Sequence, residues 1–346
     1  MFLDIERVFE HYFPEQWSSE ELQKFLGDSR FVRDREAIQQ TINVPIRELF
    51  FRGGKRLRSA LLFTLLQGFD INPRGYEEFG IIIELVHNGT LVADDIEDSS
   101  ELRRGKASLH KMLGLDIAVN IASGMLFIPV TMLLNHSKKI SGEQRLRLFE
   151  IYSEEMTNVH MGQGIDISWH RTLPDHITRE MYLEMCRLKT GSLMRMSARF
   201  ACVLAEQDIP TEETLKRFAE SVGIVFQIKD DALDLTAIEE TFGKPYGNDI
   251  REGKLSLPVI LALEELAQRD KGRLRAILQQ HPGQQAKELI DEARALIMKT
   301  NAVDRAIEYG HTLFVDAWKE IEDKIPNKEG QERLRELTKS FIRRER

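Results

Sequence analysis

Two acidic runs stand out by composition and spacing: Asp94-Asp95-Ile96-Glu97-Asp98 and Asp230-Asp231-Ala232-Leu233-Asp234. Both read D-D-x-x-D and both end long apolar-rich stretches, where at helical spacing the first and last aspartates share one face. At an effective dielectric near 20 and about 4 Å, two ionised carboxylates repel by on the order of 4 kcal/mol. Such an arrangement needs a counter-charge. Hard oxygen donors with no histidine or cysteine partner suit Mg²⁺, which keeps several waters and usually shares its shell with phosphate oxygens. A single run of this kind is more often a solvated helix end; two of identical spacing favour a metal site.

Cations stand where a diphosphate would need them. Gly53-Gly54-Lys55-Arg56-Leu57-Arg58 sets a glycine pair before three cations at a helix start, a place suited to anions. Arg103-Arg104-Gly105-Lys106 follows the first acidic run, Lys189-Thr190-Gly191 interrupts a helix, and Gly243-Lys244 through Gly253-Lys254 follows the second run. Each basic pair alone reads as a surface patch. Together with the acids they describe a diphosphate site.

The elements that must carry these residues read as helices. Ten prolines punctuate stretches of helical periodicity, giving helices at roughly 17–26, 33–50, 55–69, 76–100, 107–137, 142–168, 178–207, 211–238, 256–279, 284–299, 303–323 and 328–345. Ser141-Gly-Glu-Gln144 fits a capping box, and Thr211 fits a hydroxyl cap. No strand alternation of useful length, short repeat or linker is present. The expectation is all-α, with residues 1–346 forming one domain: a motif-bearing core over about 50–260 and peripheral helices over about 270–346.

Composition narrows the function classes. The 346 residues are 42% hydrophobic and 30% charged, enough for a core and a solvated surface. A net charge of −8 gives no electrostatic footprint for general nucleic-acid binding. If one unbroken helix carried both Cys186 and Cys202 they would lie about 24 Å apart, too far to bridge. Reduced core thiols and the cytosol are therefore expected. The start MFLDIERVFEHYF has early acids and no apolar h-region, so no signal peptide is expected. Residues 117–137 carry no formal charge but include Asn120, Ser123, Pro129 and Asn135, which favours a helix buried on all sides over a membrane span.

The strings GGKRLR, DDIEDSSELRRGK, GQGIDI, KTGSL, FQIKDDALD and GKPYGNDIREGKLSLP, in this order over about Gly53 to Pro258, resemble the trans-isoprenyl diphosphate synthase, or polyprenyl synthetase, family. Through HNGTLVADDIED the chain is most similar to geranylgeranyl diphosphate synthases. Ser59 and Ala107 stand where many members have proline, which removes no charged group. The resemblance implies a helical bundle of about ten or more helices around a central cavity. It also implies a reaction in which an allylic diphosphate ionises, isopentenyl diphosphate captures the carbocation, and a proton is lost. It implies Mg²⁺, three ions per site with substrate bound, on Asp94, Asp98 and Asp230, with Asp95, Asp231 and Asp234 orienting metal-bound water. Arg103, Lys189, Thr190, Gln227, Lys244 and Lys254 would hold the allylic diphosphate, with Lys189 and Lys254 acting in catalysis. Lys55, Arg58, His87 and Arg104 would hold isopentenyl diphosphate, and Phe226 would line the reacting centre.

Gly89 and Thr90, five and four residues before Asp94, are small where bulky aromatics in the family close the product pocket. A pocket open beyond fifteen carbons is expected, with a twenty-carbon product and longer chains as the rival; Ile83 and Val86 would continue its wall, and Ser123, Met125 and Phe127 would set its floor. A class I terpene cyclase would usually carry an N-S-E-like second motif, and a non-catalytic subunit of a heteromeric synthase would lose aspartates or cations. Neither pattern is found. The resemblance also implies a homodimer, and no membrane anchor is written in the chain.

Overall fold

The structure, a computed structural model, describes residues 5–135, 140–236, 247–280 and 286–342. The described chain is built from helices, with one two-residue hairpin, β1 (Leu102–Arg103) against β2 (Lys106–Ala107). It divides into two compact units, Met1–Ile151 with Phe200–Gln207, and Tyr152–Arg199 with Asp208–Arg346. Two of its three boundaries fall inside helices and the third in the short turn at Gln207–Asp208.

The first unit holds α1 (Ile5–Tyr12), α2 (Ser19–Leu26), α3 (Arg35–Ile38) running through a π-turn into α4 (Val44–Phe51), α5 (Leu57–Gly68), α6 (Glu77–Glu97), α7 (Leu109–Leu113), α8 (Leu115–Asn135) and the start of α9 (Gly142–Thr172). Helix α6 is its axis. Ile81, Ile82, Ile83, Leu85 and Val86 are all buried, and the helix packs on α5, α8 and α1. The α6–α8 approach is close at Gly89, where an added Cβ would meet Met125 Cβ at 2.9 Å and the Ala122 carbonyl oxygen at 3.2 Å.

The second unit holds the rest of α9, then α10 (Arg179–Lys189), most of α11 (Gly191–Leu204), α12 (Ile209–Thr236), α13 (Asn248–Glu252), α14 (Leu257–Glu265), α15 (Gln268–Leu278), α16 (Lys287–Met298), α17 (Ala302–Ile321) and α18 (Lys328–Ile342). Here α12 is the axis, packed on α17, α10 and α14. Ile224, Ile228, Ala232 and Leu235 of α12 join one apolar core with Ile260, Ile277, Ile297 and Ala306.

Several boundaries differ from expectation, each for a local reason. The helix expected over 107–137 breaks at Gly114, which takes φ +95°. That over 178–207 breaks at Thr190, and that over 256–279 breaks at Leu266, whose backbone is extended. The capping box forms: the Ser141 amide donates to Gln144 Oε1 at 2.9 Å and the Gln144 amide to Ser141 Oγ at 3.1 Å. Thr211 is not a cap; α12 begins at Ile209, and Asp208 accepts from the Thr211 amide at 2.9 Å. Helix α8 is long and apolar enough to cross a membrane by length and composition, yet only 39% of its apolar window is buried. It is therefore not enclosed on all sides, and Leu115, Val119 and Phe127 stay exposed. Cys186 and Cys202 are both buried free thiols.

Candidate active site

In the first unit the acidic run closes α6. Asp94 and Asp95 occupy its last turn and Asp98 caps it, at the negative end of the helix dipole with no basic residue in that turn. Chain reversal follows at once: Ser99 takes φ +54°, and the hairpin turns on Arg104 (φ +52°) and Gly105 (φ +76°). Positive φ at both central residues is the twist a two-residue hairpin requires. It brings Arg103 back onto the run, where Nε donates to Asp95 at 2.9 and 3.1 Å, and Nη2 lies 3.5 Å from Asp94 Oδ2. Asp95 is buried, and burial raises its pKa against the lowering effect of Arg103. Arg103, expected on a diphosphate, is paired in this structure with the acids.

Behind this face, Arg58 Nη1 donates to His87 Nε2 at 3.2 Å. Burial, then Arg58, Arg104 and Arg103, hold the His87 pKa well below its usual range, so the imidazole is neutral. Arg104 donates to the Gly53 carbonyl and covers Gly54, where a Cβ would lie 3.1 Å from its guanidinium carbon. Arg58, His87 and Arg104 are thus drawn into one cationic neighbourhood beside the exposed Lys55. Glu84, which sequence reasoning passed over, is buried one turn below His87 and accepts from Ser59 Oγ at 3.0 Å.

The second run lies near the end of α12, again with no basic residue in the last turn. Its aspartates differ. Asp231 is buried and accepts from Tyr182 Oη at 2.6 Å, Gln227 Nε2 at 2.8 Å and the Leu257 amide at 3.3 Å. Burial pushes its pKa up to about 6 against those donors. Asp234 accepts from the Asn248 and Asp249 amides at 3.0 and 3.1 Å, holding the start of α13. Asp230 is half-buried. The expected water-orienting acids Asp95, Asp231 and Asp234 are therefore all engaged by protein donors.

A cavity of about 70 Å³ opens beside Asp231, lined by Asp166, Lys189, Gln227, Asp249 and Lys254 among others. Lys189 Nζ lies 2.6 Å from Asp166 Oδ2, and Thr190 Oγ1 donates to Gln227 Oε1 at 2.9 Å. Lys254 Nζ lies 2.5 Å from Glu252. Burial, then Asp234 and Asp231, push the Asp249 pKa well up. Lys189, Thr190, Gln227, Asp231 and Lys254 are brought together; Phe226 is half-buried on α12 and is not among the cavity's lining residues. Lys244 lies outside the described residues. Asp166, Tyr182 and Asp249 were missed. Asp166 sits in GQGIDI and Asp249 in GNDIREGK, so position in the motifs was the available signal.

The carboxylates offer only hard oxygen donors, each run at a negative helix end, which fits Mg²⁺. Among the described residues no three His, Cys, Asp or Glu side chains form a cage by themselves. Mg²⁺ is ordinarily held by one or two carboxylates completed by water and phosphate oxygens.

Residues 39–297 match the polyprenyl synthetase family. The chain is 36% identical over 234 residues to a short chain isoprenyl diphosphate synthase of Methanocaldococcus jannaschii, covering 67% of this chain and 69% of that one. It superimposes on the geranylgeranyl pyrophosphate synthetase of Pyrococcus horikoshii with a TM-score of 0.83 at 28% identity, over 99% and 95% of the two chains. It also matches a polyprenyl synthase of Caulobacter crescentus, solved with calcium and isoprenyl diphosphate, at TM-score 0.77 and 25% identity over 98% and 97% of the chains. An all-α isoprenoid synthase fold, six ordered motifs and a match over most of its length make this chain a member of the polyprenyl synthetase family.

Proposed function

We propose that the chain is a Mg²⁺-dependent trans-prenyltransferase that condenses isopentenyl diphosphate with an allylic diphosphate, giving geranylgeranyl diphosphate. The observation that carries the reading is the cavity beside the second acidic run, where Lys189 and Lys254 converge with Gln227 and Asp231. Asp94, Asp98 and Asp230 would hold Mg²⁺, which when bound supplies Lewis-acid stabilisation of charge on a leaving diphosphate. Lys189, Thr190, Gln227 and Lys254 bind and orient the allylic diphosphate, and the lysines stabilise the negative charge that grows as its carbon–oxygen bond breaks. The carbocation is captured by the isopentenyl double bond, and loss of a proton restores the alkene. Arg103, paired here with Asp95, is a further candidate to bind a diphosphate. Lys55, Arg58, Arg104 and neutral His87 hold isopentenyl diphosphate as a cationic cradle.

The product's length follows from Thr90, small and half-buried one turn before Asp94. The exposed Leu115, Val119 and Phe127 face of α8 suits a homodimer, and the enzyme works in the cytoplasm. Purified protein given labelled isopentenyl diphosphate, farnesyl diphosphate and Mg²⁺ should yield a twenty-carbon prenyl diphosphate. A cyclic hydrocarbon, or no incorporation without a second subunit, would overturn the reading. Phe127→Asp should halve the mass seen in sedimentation; an unchanged mass would remove α8 from the dimer.

A further inference from the structure

The break at Thr190 is built rather than incidental. The last bond of α10 runs from the Thr190 amide to the Cys186 carbonyl at 2.9 Å, and α11 begins at Gly191. The next two carbonyls accept side-chain donors: Arg195 Nη1 donates to Arg187 O at 2.7 Å, and Ser192 Oγ donates to Leu188 O. Arg195 Nη2 also donates to that Ser192 oxygen at 3.0 Å. These are the carbonyls a helix end leaves without backbone partners.

Glycines let neighbouring helices close on this point. On α9, a Cβ added at Gly162 would overlap the Lys189 amide and lie 2.8 Å from the Leu188 carbonyl carbon. On α12, a Cβ at Gly223 would lie 2.9 Å from Gly191 Cα and 3.2 Å from the Thr190 carbonyl oxygen. One helical turn beyond each glycine stands the residue that receives the splayed side chain. Asp166 follows Gly162 by four and takes Lys189; Gln227 follows Gly223 by four and takes Thr190. Both walls therefore repeat one device, a glycine against backbone and a polar group against side chain.

Arg195 locks the socket. Its side chain is buried with Glu155 of α9, which accepts from Nη2 at 2.7 Å, while Glu220 of α12 accepts from Nη1 at 3.0 Å. A buried ion pair of this kind is costly, and its best-attested use is to specify one arrangement. We infer that Gly162, Gly223, Ser192 and Arg195 are positioning residues that fix Lys189 and Thr190 for the allylic diphosphate. This rests on the proposed role of Lys189 and Thr190.

The test compares Gly223→Ala, Ser192→Ala and Ser192→Thr with Lys189→Ala in the full-length protein, measuring KM for each substrate, kcat and the unfolding midpoint. Gly223→Ala and Ser192→Ala should raise the KM for allylic diphosphate roughly 10–100-fold, the scale of an ångström's misplacement. The KM for isopentenyl diphosphate should stay within about twofold, and Ser192→Thr should recover most of the loss because it keeps the hydroxyl. Binding of inorganic pyrophosphate, followed by calorimetry, should weaken in parallel. If Lys189→Ala raises the allylic KM and the socket variants do not, the socket is overturned while the site reading stands. Equal losses for both substrates with a lowered midpoint would also overturn it, as a purely structural role. If Lys189→Ala changes neither KM nor kcat, the role of Lys189 itself falls.

Discussion

Within each D-D-x-x-D run the carboxylates are chemically unequal. The middle acids Asp95 and Asp231 are buried and already bonded, one to Arg103 and the other to Tyr182 and Gln227. Spacing alone identified the runs and their need for cations, because periodicity is written in the chain. It could not identify Tyr182, which reaches Asp231 across 49 positions, since long-range pairing leaves no local trace. His87 offers a test at this scale. Its folded pKa is depressed below the ordinary 6.5, so below that pH the unfolded chain binds more protons than the folded one. The stability associated with neutral His87 is present above about pH 6.5 and lost as pH falls. Urea midpoints at pH 7.5 and 5.5 should drop further in the wild type than in His87→Gln. Equal drops would mean the imidazole is not held neutral.

Among elements, the pair α6 and α8 separates two residues that look alike in sequence. Both Gly89 and Thr90 are small, and both were expected to keep a pocket open. At Gly89 the α8 helix comes so close that an added Cβ would lie 2.9 Å from Met125 Cβ, while Thr90 is half-buried and donates to the His87 carbonyl at 2.9 Å. Of the three residues expected at the pocket floor, Met125 is buried against α6, and Ser123 and Phe127 are exposed. The two positions should therefore respond differently. Thr90→Phe should shorten the product at retained turnover, read by chromatography. Gly89→Leu should lower stability by about 1–3 kcal/mol through overpacking, read by denaturant unfolding. A shortened product from Gly89→Leu at full stability would reverse these roles. Periodicity located α6 and α12 well because their buried faces are continuous. It ran through the breaks at Gly114, Thr190 and Leu266, which are decided by tertiary packing or one backbone angle.

For the molecule as a whole, family membership and the helical fold were legible because the motifs are ordered and strand signals are absent. The buried charges of the second unit were not. Glu155 is fully buried between Arg195 and Arg199, accepting at 2.7 and 2.9 Å, and Arg199 also donates to Glu212 at 3.0 Å. In sequence these charges look like ordinary helix surface. Glu155→Leu should cost about 3–5 kcal/mol, the scale for breaking a buried pair and leaving its partner's charge behind. A loss under about 1 kcal/mol would show that the remaining acids suffice.

The central proposal is that each acidic run holds divalent ions when a diphosphate is present. Manganese titration followed by electron paramagnetic resonance, with a non-hydrolysable allylic diphosphate analogue, reads this most directly. The wild type should bind Mn²⁺ far more tightly with the analogue than without it, and Asp94→Asn and Asp230→Asn should each weaken that binding by roughly 10–100-fold while leaving the fold intact. Binding undiminished in both variants would contradict the account.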